Sequence, residues 1–145
     1  MNNIKILARH IAEILKGKPQ ITDNYITVSR SKKLTVTIDG RHTKSSVHSG
    51  FSFESQDNEG KTLNLGEVVL LQEEIALFMR ALINKNITIS ALHNHWIYDD
   101  PKLYYLHFQS IDYPVEFARH VEHAFRSIEP DKRSKHINHP IIKIR

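Results

Sequence analysis

Residues 87–95 read Ile-Thr-Ile-Ser-Ala-Leu-His-Asn-His, and residues 103–109 read Leu-Tyr-Tyr-Leu-His-Phe-Gln. The first run alternates and is rich in β-branched side chains; the second is aromatic and apolar. Both patterns suit strands. Between them stand Tyr98, Asp99, Asp100 and Pro101, which are turn formers. A connection this short favours an antiparallel return, because a parallel one needs a crossover of a dozen residues or more. A hairpin centred near Asp99 sets residue 91 opposite 107 and residue 93 opposite 105. Side chains at i and i+2 share a strand face, as do directly opposed residues. The arithmetic therefore brings His93, His95 and His107 to one face.

Three imidazoles on one face are a plausible shell for a divalent transition metal such as zinc, with three protein ligands and a fourth position open. Glu67 or Glu74 is a candidate to complete it, since carboxylates commonly partner metal-bound imidazole. The competing reading is a polar end to a half-buried sheet, each histidine satisfied by backbone, water or a carboxylate. A register slip of one residue would send His107 to the opposite face. The literal letters His93-Asn94-His95 do not make a nuclease motif of that spelling, which names separated positions in a hairpin-plus-helix fold.

The flanking chain supplies the rest of a small α+β domain. Ile4, Leu7, Ala8, Ile11, Ile14 and Leu15 recur at helical spacing, and Gly17 and Pro19 end that helix. Residues 24–29 and 34–39 read as strands joined around Ser31-Lys32-Lys33, and Asp39-Gly40 is a tight-turn signal. Residues 47–54 form a third strand, with Val47, Ser49, Phe51 and Phe53 on one face and His48, Gly50 and Ser52 on the other. The run from Gly66 to Leu71 suits a strand buried on both faces. A helix is expected from about Gln72, striped by Ile75, Phe78, Met79, Leu82 and Ile83. Glu73 and Glu74 suit its N-terminal turn, and Asn84-Lys85-Asn86 its end. Asp112 and Pro114 open a last helix whose buried stripe is Phe117, Val121, Ala124, Phe125 and Ile128. Its opposite side carries His120 and His123 among charged residues and reads as solvated. The expected architecture is a single domain over residues 1–128, mainly antiparallel, with helices packed against the sheet around a strand-helix-strand-strand-helix core.

Several functional classes are set aside by what the chain lacks. With no cysteine among 145 residues there is no disulfide framework, thiolate metal site or cysteine nucleophile. No phosphate loop, dinucleotide fingerprint or serine-elbow motif is present. The formal charge is +4, and most of that excess belongs to a basic tail over residues 129–145. Such a tail reads as a solvated terminus, and without a stacking motif it does not indicate nucleic-acid binding. No apolar run of about 18 residues suggests a membrane span. Charged residues at Arg9 and Glu13 interrupt any signal-like core, so the expected location is cytoplasmic.

The chain also resembles the LppY/LpqO family of bacterial proteins. The resemblance lies in Gly66-Glu67-Val68-Val69-Leu70, in Glu73-Glu74-Ile75, in residues 87–95 ending Ala91-Leu92-His93-Asn94-His95, and in Pro101 with Tyr105-Leu106-His107-Phe108. An earlier section, with Gly17, Tyr25, Arg30 and residues 34–40, is similar too. The family's usual Gly-Asp stands here as Gly66-Glu67, its frequent glycine near Asn86 is missing, and no lipobox cysteine is present. The resemblance implies a site at His93, Asn94, His95 and His107 and supplies no reaction. Two hypotheses follow. In one, the domain binds a divalent metal or small ligand through His93, His95 and His107, with Glu67, Glu74 or Asn94 contributing. In the other, the histidines and the aromatics Trp96, Tyr98, Tyr104 and Tyr105 line a non-catalytic protein-interaction or ligand-binding surface without metal. Whether the protein is an enzyme, and its oligomeric state, are left open by the sequence.

Overall fold

A computed structural model describes residues 3–130; the basic segment 131–145 lies outside them. Helix α1 (Asn3–Leu15) leads into strands β1 (Lys18–Thr22), β2 (Tyr25–Ser31), β3 (Val36–Ile38), β4 (Arg41–Thr43) and β5 (His48–Glu54). Strand β6 (Thr62–Leu71) follows, then a 3-10 turn over Gln72–Glu74 and helix α2 (Ile75–Ile83). The chain closes with β7 (Thr88–Asn94), β8 (Asp99–Asp100), β9 (Leu103–Asp112) and helix α3 (Pro114–Ser127). Six strands form one sheet in the order β1-β2-β5-β6-β9-β7, and β4-β3-β8 form a second, smaller one. Every pairing is antiparallel. The molecule is thus a single α+β domain with a mainly antiparallel sheet and three packed helices.

One face of the large sheet is covered by the helices. Ile26, Val28, Phe51, Phe53, Val68, Leu70, Leu106 and Phe108 alternate toward it. They meet Ala8, Ile11 and Leu15 of α1, Phe78 and Leu82 of α2, and Phe117, Val121, Ala124 and Phe125 of α3. The expected stripe of α3, Ile128 included, is buried throughout, and each such large apolar side chain withdrawn from water contributes about 1.5–3 kcal/mol. In α2 the stripe is narrower than expected, because Ile83 is left exposed. Between α2 and β7, Asn86 takes the left-handed conformation at φ 58°, and the Ile87 amide donates to the Leu82 carbonyl at 3.1 Å. That arrangement satisfies a terminal carbonyl of the helix.

Among the described residues the opposite face is covered only at one end. There Val36 and Val47 pack on Val69 and Leu103, with Leu34, Leu71 and Tyr105 around them. Val68, Val69 and Leu70 are consequently all buried, as a strand covered on both faces requires. Strands β6 and β7 both run antiparallel to β9, so they are parallel to each other with β9 between them. The expected strand-helix-strand unit therefore lies in one sheet.

Three local readings need correction. Residues 34–39 do not pair with residues 24–29: β2 lies between β1 and β5, and β3 belongs to the second sheet. Residues 18–22 are a strand and not merely the end of α1. A tight turn at Asp23 and Asn24, with φ of 45° and 69°, folds β1 back on β2, and Pro19 is tolerated because β1 is an edge strand. Asp99 and Asp100, read as turn, pair with Ile38 and Thr37 instead.

Candidate functional site

The hairpin register is the one that local arithmetic gives. Ala91 faces His107 and His93 faces Tyr105. A bulge at Ser90 precedes these pairs, so it changes the face of Ile89 and leaves the histidines in phase. His93 and His107 accordingly meet on the side of the sheet away from the helices. Their rings stack at 25° with centroids 5.0 Å apart, and their Nε2 atoms stand 2.9 Å from each other. Nδ1 of His93 lies 2.8 Å from the Asn94 carbonyl oxygen. A carbonyl only accepts, so that nitrogen carries the proton, and Nε2 of neutral His93 presents a lone pair. His107 then donates its Nε2–H to His93.

His95 stands apart from this pair. The strand ends at Asn94, although the His95 amide still donates to the Leu103 carbonyl at 3.0 Å. Its ring lies against Tyr105 with centroids 3.6 Å apart and beside Trp96 at 5.1 Å. Nδ1 of His95 and Oγ of Ser46 are buried with no hydrogen-bond partner among the described residues. Burial holds the His95 imidazole below its ordinary value; the Asp99 and Glu67 carboxylates pull the other way, and His93 reinforces the lowering. The ring is therefore favoured in its neutral form.

Glu67 enters through a contact that is remote in sequence, as the β6 partner of His107. Burial raises the Tyr105 phenol above its usual value, and the Glu67 carboxylate adds to that. Glu67 and His107 also border a shallow hollow of about 680 Å³ on the open sheet face, floored by Ser29, Gly50 and Ser52. Nothing stands within 4 Å of where a Gly50 Cβ would be, so the floor is clear there.

The other candidates are placed elsewhere. Asn94 faces Tyr104, so its side chain leaves on the opposite face from His93, and it reaches the site only through its carbonyl. Glu74 is buried. It accepts the Leu71 amide at 2.8 Å and pairs with Lys32 at 2.7 Å, which gives it a place in the turn before α2. Among the described residues no group of three or more histidine, aspartate or glutamate side chains is assembled to hold a metal ion.

Tyr105, one of the aromatics read from the sequence as lining a pocket or partner surface, stands opposite His93 as the hairpin register sets it. One residue of this region was not singled out from the sequence. Asp99 resembled an ordinary turn residue, yet its side chain is wholly buried and pairs with Lys102 at 2.6 Å. It also accepts the Leu103 amide at 3.0 Å, which fixes the loop that carries Trp96 to Asp100.

No helix of the described residues is long and apolar enough to cross a membrane. Comparison with curated proteins and with solved structures yields no match. The match of a family model to residues 9–127 spans most of the chain, and the protein belongs to the family described as Domain of Unknown Function (DUF1259).

Proposed function

We propose that the domain binds a divalent transition metal such as zinc, or a small ligand that such a metal would hold, on the open face of the sheet at His93 and His107. The observation that carries this reading is the pair of Nε2 atoms 2.9 Å apart, with His93 Nδ1 held by a carbonyl. Two nitrogens bound to one tetrahedral zinc at about 2.0–2.1 Å stand about 3.3 Å from each other. Little movement separates the two geometries. The carbonyl on Nδ1 is the usual outer partner of a metal-bound imidazole, fixing tautomer and ring direction. A cation takes the place of the hydrogen between the two nitrogens, and His107 keeps its one ring proton by carrying it on Nδ1 instead of Nε2. The third donor in this reading is Glu67, beside His107 on β6, or His95 after rotation off Tyr105. The sequence run that resembles the LppY/LpqO family, Ala91 to His95 with Pro101 and His107, supports placing the site here and relates the chain to that family.

Titration of metal-free, tag-free protein with zinc is expected to raise its melting temperature. At one hundred times the dissociation constant the stabilisation is about 2.7 kcal/mol, or roughly 10 °C for a domain of this size. His93→Ala and His107→Ala should each abolish the rise without unfolding the protein, since His93 is exposed and His107 is only half-buried. A melting temperature unchanged by zinc, manganese and nickel would reject the metal. It would leave the second reading, an interaction or ligand-binding surface built from His95, Tyr105 and Trp96, whose rings already lie together.

A further inference from the structure

The two edges of the large sheet differ in chemistry. Strand β1 carries Lys18 and Pro19, the residues by which edge strands commonly discourage pairing. Strand β7 reads Thr-Ile-Ser-Ala-Leu-His-Asn, with no lysine, arginine, carboxylate or proline. Among the described residues it pairs only with β9, and nearly all of it is exposed. Leu92 is 44 % exposed, and Trp96, Ile97 and Tyr98 just beyond are 46 %, 76 % and 70 % exposed. An unguarded edge bordered by exposed large apolar side chains is a template for another strand.

We propose that two copies of this chain pair through β7, antiparallel about a two-fold axis at Leu92, to make one continuous twelve-stranded sheet. An antiparallel strand is complementary to itself about a residue, because opposed side chains must share a face. The bulge at Ser90 confines the regular edge to residues 91–94, so the axis falls on Leu92 or His93. The His95 amide bonds inward to Leu103. By the alternation of an antiparallel ladder, Leu92 and Asn94 then direct their N–H and C=O groups outward, free to bond a partner. An axis at Leu92 sets that exposed side chain against its own copy and His93 against Ala91. An axis at His93 would set two imidazoles against each other and leave Leu92 in water. The strand has no carboxylate, lysine or arginine to repel its copy. The row His107, Ala91, His93 of the second copy, Tyr105 of the second copy would bring the two histidine pairs side by side.

The full chain is cysteine-free, which makes the test direct. Light scattering on a sizing column should give twice the 16.9 kDa of one chain. Leu92→Cys should form a disulfide-linked dimer on mild oxidation, whereas Gln20→Cys on the β1 edge should not. Leu92→Lys should weaken the dimer by at least about tenfold, with an unchanged circular dichroism spectrum showing that the domain still folds. A monomer at all concentrations up to several hundred micromolar overturns the proposal and leaves the edge to a strand of another protein. A dimer that survives Leu92→Lys and does not cross-link through Leu92→Cys overturns it too, by placing the interface elsewhere.

Discussion

Gly66 and Phe108 face each other across β6 and β9, and the glycine is what lets the aromatic ring lie flat over the strand. A Cβ at position 66 would collide with the Phe108 ring. That ring is fully buried against Phe51, Phe78 and Phe117 and has no free volume to enter. Gly66→Ala is expected to cost about 1–3 kcal/mol, the usual penalty of overpacking, measurable by urea unfolding. Asp99 makes a second prediction at this scale. Burial of its carboxyl alone would raise the pKa, but the Lys102 ammonium and the Leu103 amide outweigh it and hold the group below its ordinary 3.8. The unfolded chain thus takes up a proton at higher pH than the folded one. The stabilisation from ionised Asp99 is complete above about pH 4 and is lost as the pH falls through the folded value. Asp99→Asn should destabilise the protein at neutral pH by about 1–3 kcal/mol and flatten the acid limb of stability against pH. An unaltered acid limb would refute this.

At the scale of elements, the sheet and two of its helices are tied together by one cation. Nη1 of Arg30 on β2 donates to Glu122 of α3 at 2.8 Å and to the Leu15 carbonyl at the end of α1 at 3.0 Å. Its guanidinium lies 3.8 Å from the centroid of the Phe125 ring. Glu122 is buried, and Lys16 adds a second cation at 3.3 Å. Removing Arg30 leaves a buried carboxylate with only the exposed Lys16 beside it. Arg30→Ala should therefore cost on the order of 3 kcal/mol, read from denaturant midpoints. Arg30→Ala combined with Glu122→Gln should cost less than the sum of the two single changes. The sequence offered no hint of this clasp, because positions 30 and 122 are joined only by how α3 lies across the sheet.

At the scale of the whole molecule, the division of labour between chain and fold follows the range of the forces involved. Periods of 3.6 and 2 are properties of a few consecutive residues, and they placed α1, α3, β5 and the β7–β9 hairpin from the letters alone. Because that hairpin is local, the shared face of His93 and His107 was legible as well, down to the opposition of Ala91 with His107. The Asp39-Gly40 turn belongs to the same category, with both residues at positive φ. Other features depend on which distant strand offers a free edge. Residues 18–22 became a strand only because β2 stood ready to pair with them, and Asp99 with Asp100 only because β3 did. The neighbourhood of Glu67 and His107 was fixed by the β6–β9 register, a pairing across forty residues that no periodicity encodes. His95 shares the parity of His93, yet its ring lies on Tyr105, since parity sets the face of a side chain and packing sets its direction. Among the described residues the small second sheet covers one end of the large one and leaves the face over Gly50 and Glu67 open. That choice of what to cover, which decides how open the face carrying the histidines is, belongs to the tertiary structure, because burial is settled only when all the elements have found their partners.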